Sequence, residues 1–236
     1  MPVHQVLDNL RMLAHVALAK LSYGVADHRH PSRKRALDVV RVARAKTPSP
    51  TTPLECVQIF QIVSALEKIP GDMAEVGVFR GTTAAVILAA SSGKRLHLFD
   101  TFQGLPYGEG PVQQGEYSAS LADVRNGLKE HLSRVEFHPG LFPHETAASV
   151  AANRFSFVNL DVDLHDVTLA ALQFFWPRLS PGGVILSHDY PRLEGVVRAF
   201  EVFFAGQRAS FFPLSGYQCM AVRLDDDSSN QAPGKT

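Results

Sequence analysis

Acidic residues and a histidine follow several short apolar segments of the chain. Glu75 closes one such segment and Asp100 closes the next. Asp161 and the pair His188-Asp189 end two later ones. In proteins that alternate strands and helices, the carboxyl ends of parallel strands meet at one edge of the sheet, so we expect these side chains to share a site. Carboxylates and an imidazole gathered there can hold a cation or transfer a proton.

Glycines follow Glu75 in a pattern typical of a nucleotide-type ligand site. Gly77 permits a tight turn after the strand, and Gly81 permits the close approach of a ligand. Thr82 and Thr83 come next and begin a predicted helix. The free N–H groups at the start of a helix favour an anionic group. The pattern therefore predicts a ligand with an anionic part beside this turn.

The position of Asp100 narrows the choice of ligand. It follows Gly77 by about 20 residues, the separation at which an acid binds the ribose hydroxyls in a doubly wound sheet. NAD, FAD and S-adenosylmethionine all fit that requirement. A dinucleotide also needs room for its pyrophosphate, which the bulky Val78 and Phe79 between the glycines disfavour. The pattern therefore favours S-adenosylmethionine, which has an amino-acid end instead.

Asp161, His188 and Asp189 form a candidate metal site. Carboxylates at neighbouring strand ends repel one another unless a cation or a shared proton lies between them. Oxygen ligands suit Mg²⁺ or Ca²⁺, whereas the imidazole of His188 suits Zn²⁺, Mn²⁺ or Fe²⁺ better. The alternative is that acids in this region only cap helices, which fits Asp166 and is also open for Asp163.

Composition excludes several classes of protein. The chain has 236 residues, of which 45% are hydrophobic, so it can bury a large core. Its formal net charge is zero, which argues against general nucleic-acid binding because phosphate contacts need a basic surplus. The two cysteines, Cys56 and Cys219, have no metal or redox spacing and are typical of a reduced cytoplasmic protein. No stretch is long and apolar enough to span a membrane.

Strand-like and helix-like segments alternate over residues 54–224. This alternation predicts an α/β fold with a doubly wound, mostly parallel sheet of seven strands. After the first strand, strands are expected at 95–100, 135–138, 154–161, 183–188, 211–214 and 218–224, and helices at 54–68, 118–132, 145–152, 167–175 and 194–204. The last two strands are separated by a short link, so we expect a hairpin that makes one strand antiparallel.

A proline-rich segment separates this predicted domain from an N-terminal extension, residues 1–53. Apolar residues recur at helical spacing over residues 6–21, which predicts an amphipathic helix that packs on its own domain or on a second subunit. We therefore expect a homo-oligomer that assembles through its N-terminal helices. The acidic and polar tail, residues 225–236, is predicted to be disordered.

Five motifs together resemble the macrocin-type (TylF-like) bacterial O-methyltransferases. They are residues 75–81, 99–106, 160–164, 181–183 and 188–190, and the resemblance covers about residues 70 to 224. It implies a class I, Rossmann-like methyltransferase fold with S-adenosylmethionine as the methyl donor. It also implies that the acceptor is a hydroxyl of a sugar or a glycosylated natural product, and that Mg²⁺ commonly assists.

The resemblance assigns parts of the donor to individual residues. It implies that Glu75 and Gly77 line the methionine end, that Asp100 holds the ribose, and that residues 140–142 lie near the adenine. With the residues of the glycine turn, the predicted donor-binding set is Glu75, Gly77, Gly81, Thr82, Thr83, Asp100, Thr101, Phe102, Gly140, Phe142 and Asp161.

The resemblance also implies that Asp161, His188 and Asp189 occupy metal-ligand positions and that Asp163 is the general base. The family commonly has two acids where this chain has His188-Asp189. Losing one negative charge should weaken Mg²⁺ binding, and it leaves His188 as either a metal ligand or a base. His165 stands where a tyrosine is frequent and is a second candidate to replace or assist Asp163.

Two other functions are compatible with the same residues. A metal-dependent hydrolase could use the cluster of Asp161, His188 and Asp189, with the glycine turn purely structural. Glu75 and Asp100 disfavour a hydrolase, because it needs no acids arranged for a donor nucleoside. A protein that binds the donor but has lost turnover is the second alternative. The acceptor-binding residues are expected in the N-terminal extension and in residues 106–120.

Overall fold

Seven strands form the central sheet of this computed structural model, which describes residues 31–207 and 209–224. They are β1 (Asp72–Val76), β2 (Leu96–Asp100), β3 (Val135–Pro139), β4 (Phe155–Leu160), β5 (Leu179–His188), β6 (Ala209–Pro213) and β7 (Gln218–Arg223). Their spatial order is β3-β2-β1-β4-β5-β7-β6. The first five strands are parallel, and β7 is antiparallel to both β5 and β6. The predicted seven-stranded sheet with one antiparallel strand is confirmed.

The strand order reverses between β1 and β4. From β1 the chain runs outward to β2 and β3, and it then returns to β4 on the other side of β1. Ligands bind outside the carboxyl ends of the strands at such a reversal. Here the pairing of Val76 with Leu160 brings the ends of β1 and β4 together.

Within the described ranges, six α-helices flank the sheet. They are α1 (Pro31–Lys46), α2 (Pro53–Ala65), α3 (Thr82–Ala90), α4 (Leu121–Gly127), α5 (His165–Phe175) and α6 (Glu194–Phe204). The helix predicted at 118–132 is divided into α4 and a 3₁₀ segment, Lys129–Arg134. Gly127 lies at the break, where glycine weakens a helix. The helix predicted at 145–152 is only a 3₁₀ turn, Ala147–Val150.

Alternate residues of the central strands enter two separate cores. Met73, Leu98 and Phe157 pack with α1, α2, α3 and α4 on one face of the sheet. The adjacent residues, such as Phe99 and Val158, pack with α5 and α6 on the other face. Both faces of the parallel strands are thus covered, which explains why β4 is buried along its whole length.

The segment before β1 is tied to the domain. α2 begins with a capping box in which Thr52 and Glu55 bond to each other's backbone N–H groups. The Thr82 hydroxyl donates to the Thr47 carbonyl and so links this segment to the first turn of α3. The amphipathic helix predicted at residues 6–21 and the disordered tail predicted at 225–236 lie outside the described residues. Within residues 31–207 and 209–224, no helix has the length and apolarity needed to cross a bilayer.

Candidate active site

An open cavity lies at the carboxyl ends of β1, β2, β4 and β5. Together with the open solvent at its mouth, it contains about 1170 Å³ of space between atoms. The predicted site residues that line it are Gly77, Thr82, Thr83, Asp100, Thr101, Gly140, Phe142, Asp161, Asp163, His188 and Asp189. Glu75, Gly81 and Phe102 lie behind this lining.

Asp100 organises the loop after β1. Its Oδ2 accepts hydrogen bonds from the N–H groups of Val78 (2.7 Å) and Phe79 (3.0 Å), and its Oδ1 accepts one from Phe102 N–H (2.7 Å). Phe79 and Phe102 have positive φ values of 48° and 55°, a conformation that non-glycine residues rarely adopt outside functional sites. A carboxylate has about four acceptor positions, so Asp100 can still accept from a ribose hydroxyl.

Gly77 is required by the neighbouring strand. Its φ is 85°, and a Cβ atom at this position would overlap the carbonyl oxygen of Asp161. The turn is fixed on both sides, because Gly77 N–H donates to Phe99 O (2.9 Å) and Asp161 N–H donates to Val76 O (2.9 Å). The loop after β1 therefore packs directly against the backbone of Asp161. This residue is the first of the acidic cluster, which consists of Asp161, Asp163, His188 and Asp189.

Gly81 has a different environment from the one that the sequence predicts. Its φ of 78° needs a glycine, but a Cβ there would lie 3.2 Å from Val124 and 3.7 Å from Leu128, both outside the cavity lining. Packing of α3 against the segment around α4, rather than close approach of a ligand, explains the absence of a side chain. Thr82 bonds to Thr47 in the same region, so its hydroxyl is already engaged.

Glu75 is fully buried at the end of β1. Its Oε1 accepts a hydrogen bond from the Asn159 amide (2.8 Å), while its Oε2 has no hydrogen-bond partner. Burial raises the pKa of Glu75 to about 8, although the hydrogen bond from Asn159 opposes the shift. A buried carboxyl oxygen without a donor, beside the cavity wall at Thr83, fits the cationic amino group of an amino-acid ligand.

His188 lies among three carboxylates. Its Nδ1 is 3.0 Å from Asp189 Oδ2 and 3.5 Å from Asp161 Oδ1, and its Nε2 is 3.5 Å from Glu55 Oε2. Burial alone would lower the pKa of His188, but the attraction of Asp161, Asp189 and Glu55 outweighs it and raises the pKa to about 11. His188 is therefore an imidazolium in this arrangement, and its charge offsets that of the acids.

Asp163 faces Asp189 across the cavity wall. Burial, together with the negative charges of Asp161 and Asp189, raises the pKa of Asp163. The pKa of Asp189 is lowered, because hydrogen bonds with His188 and Asp163 outweigh its burial. Asp163 therefore keeps its proton more readily than an ordinary aspartate, and Asp189 keeps its proton less readily. Both residues have positive φ values, 60° and 63°, which indicates strained backbone at this position.

The same cluster has the donors for a divalent cation. One ligand atom from each of Asp161, His188 and Asp189 can be chosen so that all lie within 4.8 Å of one another. Two carboxylates and an imidazole form a mixed oxygen and nitrogen donor set that suits Mn²⁺ or Zn²⁺ as well as Mg²⁺. A cation would need the neutral imidazole, so it would have to displace a proton from His188.

Two residues of the cluster were not predicted from the sequence. Glu55 comes from α2 and is far in sequence from the strand end at His188. It also accepts a hydrogen bond from Tyr217 N–H (2.8 Å). Its spacing from Thr52 identifies a helix cap, which explains the residue without reference to a site. Arg192 donates to Asp189 Oδ1 (3.2 Å) and lines the cavity. Its position three residues after Asp189 was the only indication in the sequence that Arg192 could pair with that acid.

His165 lies beside the site but does not line the cavity. Its Nδ1 is 2.7 Å from Asp166 Oδ1, and its backbone N–H donates to Glu109. The predicted role as a replacement for Asp163 therefore has no direct geometric support. Glu109 instead ties the loop of residues 105–117 to the start of α5.

The outer wall of the cavity comes from the predicted acceptor regions. Leu105, Pro106 and Tyr117 line it from the loop after β2, and residues 49–52 line it from the segment before α2. Tyr117 packs edge-on against Phe79 with ring centroids 5.8 Å apart. These lining residues are more apolar than the acids that line the same cavity.

Solved structures with similar folds are methyltransferases. The O-methyltransferase NovP has a TM-score of 0.67 at 20% identity, with 81% of this chain and 98% of that chain covered. A calicheamicin methyltransferase has a TM-score of 0.62 at 20% identity, with 86% and 95% covered. At these identities the likeness establishes the class I methyltransferase fold.

Curated relatives match about half of the chain. A tetracenomycin-type rhamnosyl 4'-O-methyltransferase from Streptomyces olivaceus is 29% identical over 52% of this chain and 54% of its own length. The mycinamicin III 3''-O-methyltransferase of Micromonospora griseorubida is 30% identical over 55% and 59%. The matches thus span little more than half the length of these relatives.

The family comparison covers far more of the sequence. The model of the macrocin O-methyltransferase (TylF) family matches residues 10–215. This range includes the glycine turn, Asp100 and the whole acidic cluster. The resemblance inferred from the five motifs is confirmed, and the chain belongs to the macrocin O-methyltransferase family.

Proposed function

We propose that this chain is an S-adenosylmethionine-dependent O-methyltransferase that methylates a hydroxyl of a sugar or a glycosylated natural product. One observation carries the proposal. The loop held by Asp100 and the acids Asp163 and Asp189 line the same cavity. A donor held by the first would face an acceptor held beside the second.

The donor side of the cavity is prepared before any ligand enters. When bound, S-adenosylmethionine supplies an electrophilic methyl group on a positively charged sulfur. Asp100 accepts from the ribose hydroxyls while it holds the Val78 and Phe79 N–H groups in place. Glu75 offers its unpaired oxygen to the amino group, and Gly140 and Phe142 border the adenine end. These residues fix the distance and direction of transfer, a large part of catalysis by positioning.

Asp163 is the proposed general base. A sugar hydroxyl is a poor nucleophile, so its proton must leave as the new carbon–oxygen bond forms. That proton passes to the Asp163 carboxylate, after Asp163 has lost its own proton to solvent through the mouth of the cavity. Asp161, Asp189 and His188 hold the acceptor oxygen near the methyl group through hydrogen bonds or through a cation.

The proposed cation site consists of Asp161, His188 and Asp189. Mg²⁺ is the ion that the family resemblance favours, and a divalent ion there would lower the pKa of the acceptor hydroxyl. The His188 imidazolium is the alternative source of positive charge at the same position. Both cases use the same side chains, so metal dependence is a separate question from methyl transfer.

The proposed acceptor class rests on the relatives and on the cavity wall. The names of the matched relatives describe O-methylation of a rhamnosyl tetracenomycin C derivative, of mycinamicin III and of demethyldecarbamoylnovobiocin. In this chain, Tyr117 and Leu105 contribute an apolar wall to the cavity that the acids also line. Such a wall suits the less polar face of a sugar ring, with its hydroxyl directed to Asp163.

The proposal is tested by calorimetric titration with S-adenosylmethionine and by detection of S-adenosylhomocysteine during incubation with glycosylated acceptors. Titrations in EDTA and in Mg²⁺, Mn²⁺ or Zn²⁺ separate donor binding from metal binding. We expect donor binding in EDTA and turnover with at least one acceptor. Absence of donor binding under every condition would favour the hydrolase, whereas binding without turnover on a broad acceptor panel would favour a donor-binding protein without activity.

A cytoplasmic location and a homo-oligomeric state complete the proposal. The two cysteines, Cys56 and Cys219, are free and buried in the structure, which is compatible with a reducing compartment. Oligomerisation rests on the helical spacing of apolar residues at 6–21. Light scattering on the chain with and without residues 1–30 tests this assembly. An unchanged number of subunits after the truncation would contradict the role of these residues.

A further inference from the structure

A second group of side chains of the types that ligate metals lies at the β3 edge of the sheet, outside the cavity lining. His97 on β2 and Glu136 on β3 are paired in register, and His138 follows two residues later on β3. Because side chains alternate along a strand, all three are on the same face of the sheet. One ligand atom of each lies within 4.8 Å of the other two.

The tautomer of His97 is fixed by Asp72 at the start of β1. Asp72 Oδ2 lies 3.1 Å from His97 Nε2 and also accepts a hydrogen bond from the Asn153 amide (3.0 Å). The Asn153 nitrogen is farther from His97 Nε2, at 3.4 Å. A carboxylate at the shorter distance requires a proton on Nε2. In a neutral His97, Nδ1 therefore has the lone pair.

The tautomer of His138 is fixed by Ser149. The Ser149 hydroxyl donates its only proton to Thr146 O (2.7 Å), so its oxygen can only accept from His138 Nδ1, at 3.1 Å. That hydrogen bond places the proton of His138 on Nδ1. In a neutral His138, Nε2 therefore has the lone pair.

These assignments direct two nitrogen lone pairs at each other. His97 Nδ1 and His138 Nε2 are only 3.1 Å apart, and Glu136 Oε2 lies 3.3 Å from His97 Nδ1. Three electron-rich atoms at these distances repel one another unless a proton or a metal ion lies between them. Two ligand nitrogens on a tetrahedral Zn²⁺ are ~3.3 Å apart when each bond is ~2.0–2.1 Å, so the spacing fits a metal ion.

We propose that His97, Glu136 and His138 form a structural binding site for a divalent cation of the Zn²⁺ class. Asp72 orients His97 as outer carboxylates commonly orient metal-binding histidines. His97 is 1% exposed, whereas the side chain of Glu136 is 42% exposed, so the ion enters from the Glu136 side and keeps a solvent ligand there. Glu136 Oε1 bonds to Arg95, which leaves Oε2 for the ion.

The position of the cation gives it a structural effect on the cavity. β3 is an edge strand, and the chain continues from it into Gly140 and Phe142, which line the cavity. The His138 ring also stacks on Phe99, another lining residue, with centroids 4.4 Å apart. A cation that joins β2 to β3 would therefore hold the adenine side of the cavity in place.

The test uses Co²⁺, whose visible spectrum reports coordination geometry, and the full chain freed of any affinity tag. An Asp161→Asn background removes a ligand of the other metal cluster. We expect this variant to bind one Co²⁺ with the strong visible absorption of a tetrahedral site, and to gain thermal stability on addition of Zn²⁺. The proposal predicts loss of that Co²⁺ in Asp161→Asn/His138→Gln and retention in the matched control Asp161→Asn/His144→Gln, because His144 is exposed and outside the cluster.

Asp72→Asn extends the test to the outer carboxylate. We expect Co²⁺ to bind about 10- to 100-fold more weakly in the Asp161→Asn/Asp72→Asn variant, since this is the usual effect of removing such a partner. No Co²⁺ uptake in the Asp161→Asn background would overturn the proposal and identify a proton between His97 and His138. Equal uptake in the His138→Gln and His144→Gln variants would also overturn it.

Discussion

The two halves of the cavity are held by different kinds of interaction. On the donor side, Asp100 and Gly77 are fixed by bonds to backbone N–H and C=O groups of neighbouring residues. On the acidic side, His188 and Asp189 are held mainly by ion pairs with each other, with Asp161 and with Arg192. The donor side is therefore preformed, whereas the arrangement of the acidic side depends on charges that a ligand or a pH change can alter.

The sharpest test of this difference is Asp163→Asn. If Asp163 is the base, turnover should fall by about 10²- to 10⁴-fold, the usual contribution of a general base, while donor affinity is retained. S-adenosylhomocysteine formation and calorimetry measure the two properties separately. The control is Asp166→Asn, an exposed acid three residues away that bonds to His165. Full activity of Asp163→Asn would assign the base to another residue.

Glu75→Gln tests whether the buried carboxyl group of Glu75, on the donor side, makes the stability of the protein depend on pH. The folded-state pKa of Glu75, about 8, is above the ordinary glutamate value of 4.5. Its protonated form is therefore favoured by folding, and that stabilisation is present below pH 4.5 and is lost as pH rises through 8. The loss has an upper limit of roughly 5 kcal/mol.

The expected result is a flatter dependence of unfolding free energy on pH in Glu75→Gln than in the wild type between pH 5 and 9. Urea denaturation at several pH values measures it. Because Glu145 is exposed, Glu145→Gln is the control and should leave the slope unchanged. Identical slopes for Glu75→Gln and the wild type would show that Glu75 does not keep its proton.

Asp100→Asn tests the preformed loop on the donor side. An amide offers one acceptor oxygen instead of two, so the N–H groups of Val78, Phe79 and Phe102 cannot all keep their partner. Hydrogen bonds to a charged acceptor are worth about 1.5–3 kcal/mol, so donor affinity should fall roughly 10- to 150-fold. Calorimetry measures the change, with the exposed Asp123→Asn as control. Unchanged affinity would contradict the role assigned to Asp100.

Gly81→Ala should have the smallest effect. Its φ of 78° penalises alanine by about 1–2 kcal/mol, and the neighbouring Val124 must move slightly. Donor affinity should change less than stability, because the added methyl group points away from the cavity. Gly93→Ala, at a glycine with open space around it and no positive φ, is the control for thermal unfolding. A larger loss of affinity than of stability would restore the predicted ligand contact at Gly81.

The features that could be predicted from the sequence are those set by local chemistry. Apolar runs that end in Glu75, Asp100 and Asp161 identified the strand ends, and the short link before Gln218 identified the hairpin. The seven-stranded sheet followed from this alternation. Gathering of the acids at one edge also followed, since parallel topology leaves no other arrangement.

The features that could not be predicted depend on contacts between distant segments. Glu55 on α2 lies 3.5 Å from His188 at the end of β5, a contact between segments far apart in sequence, and its capping-box pattern gives no sign of that contact. The cluster of His97 and His138 depends on the register of β2 and β3, which no local pattern specifies. For the same reason His165 appeared suitable as a base, although Glu109 and Asp166 hold it outside the cavity.

The contact of Gly77 with the Asp161 carbonyl has a mechanical consequence. The turn after β1 and the first residue of the acidic side are in direct main-chain contact here, since a Cβ atom on Gly77 would overlap the Asp161 carbonyl oxygen. We therefore expect a ligand that displaces this turn to move the backbone of Asp161 as well.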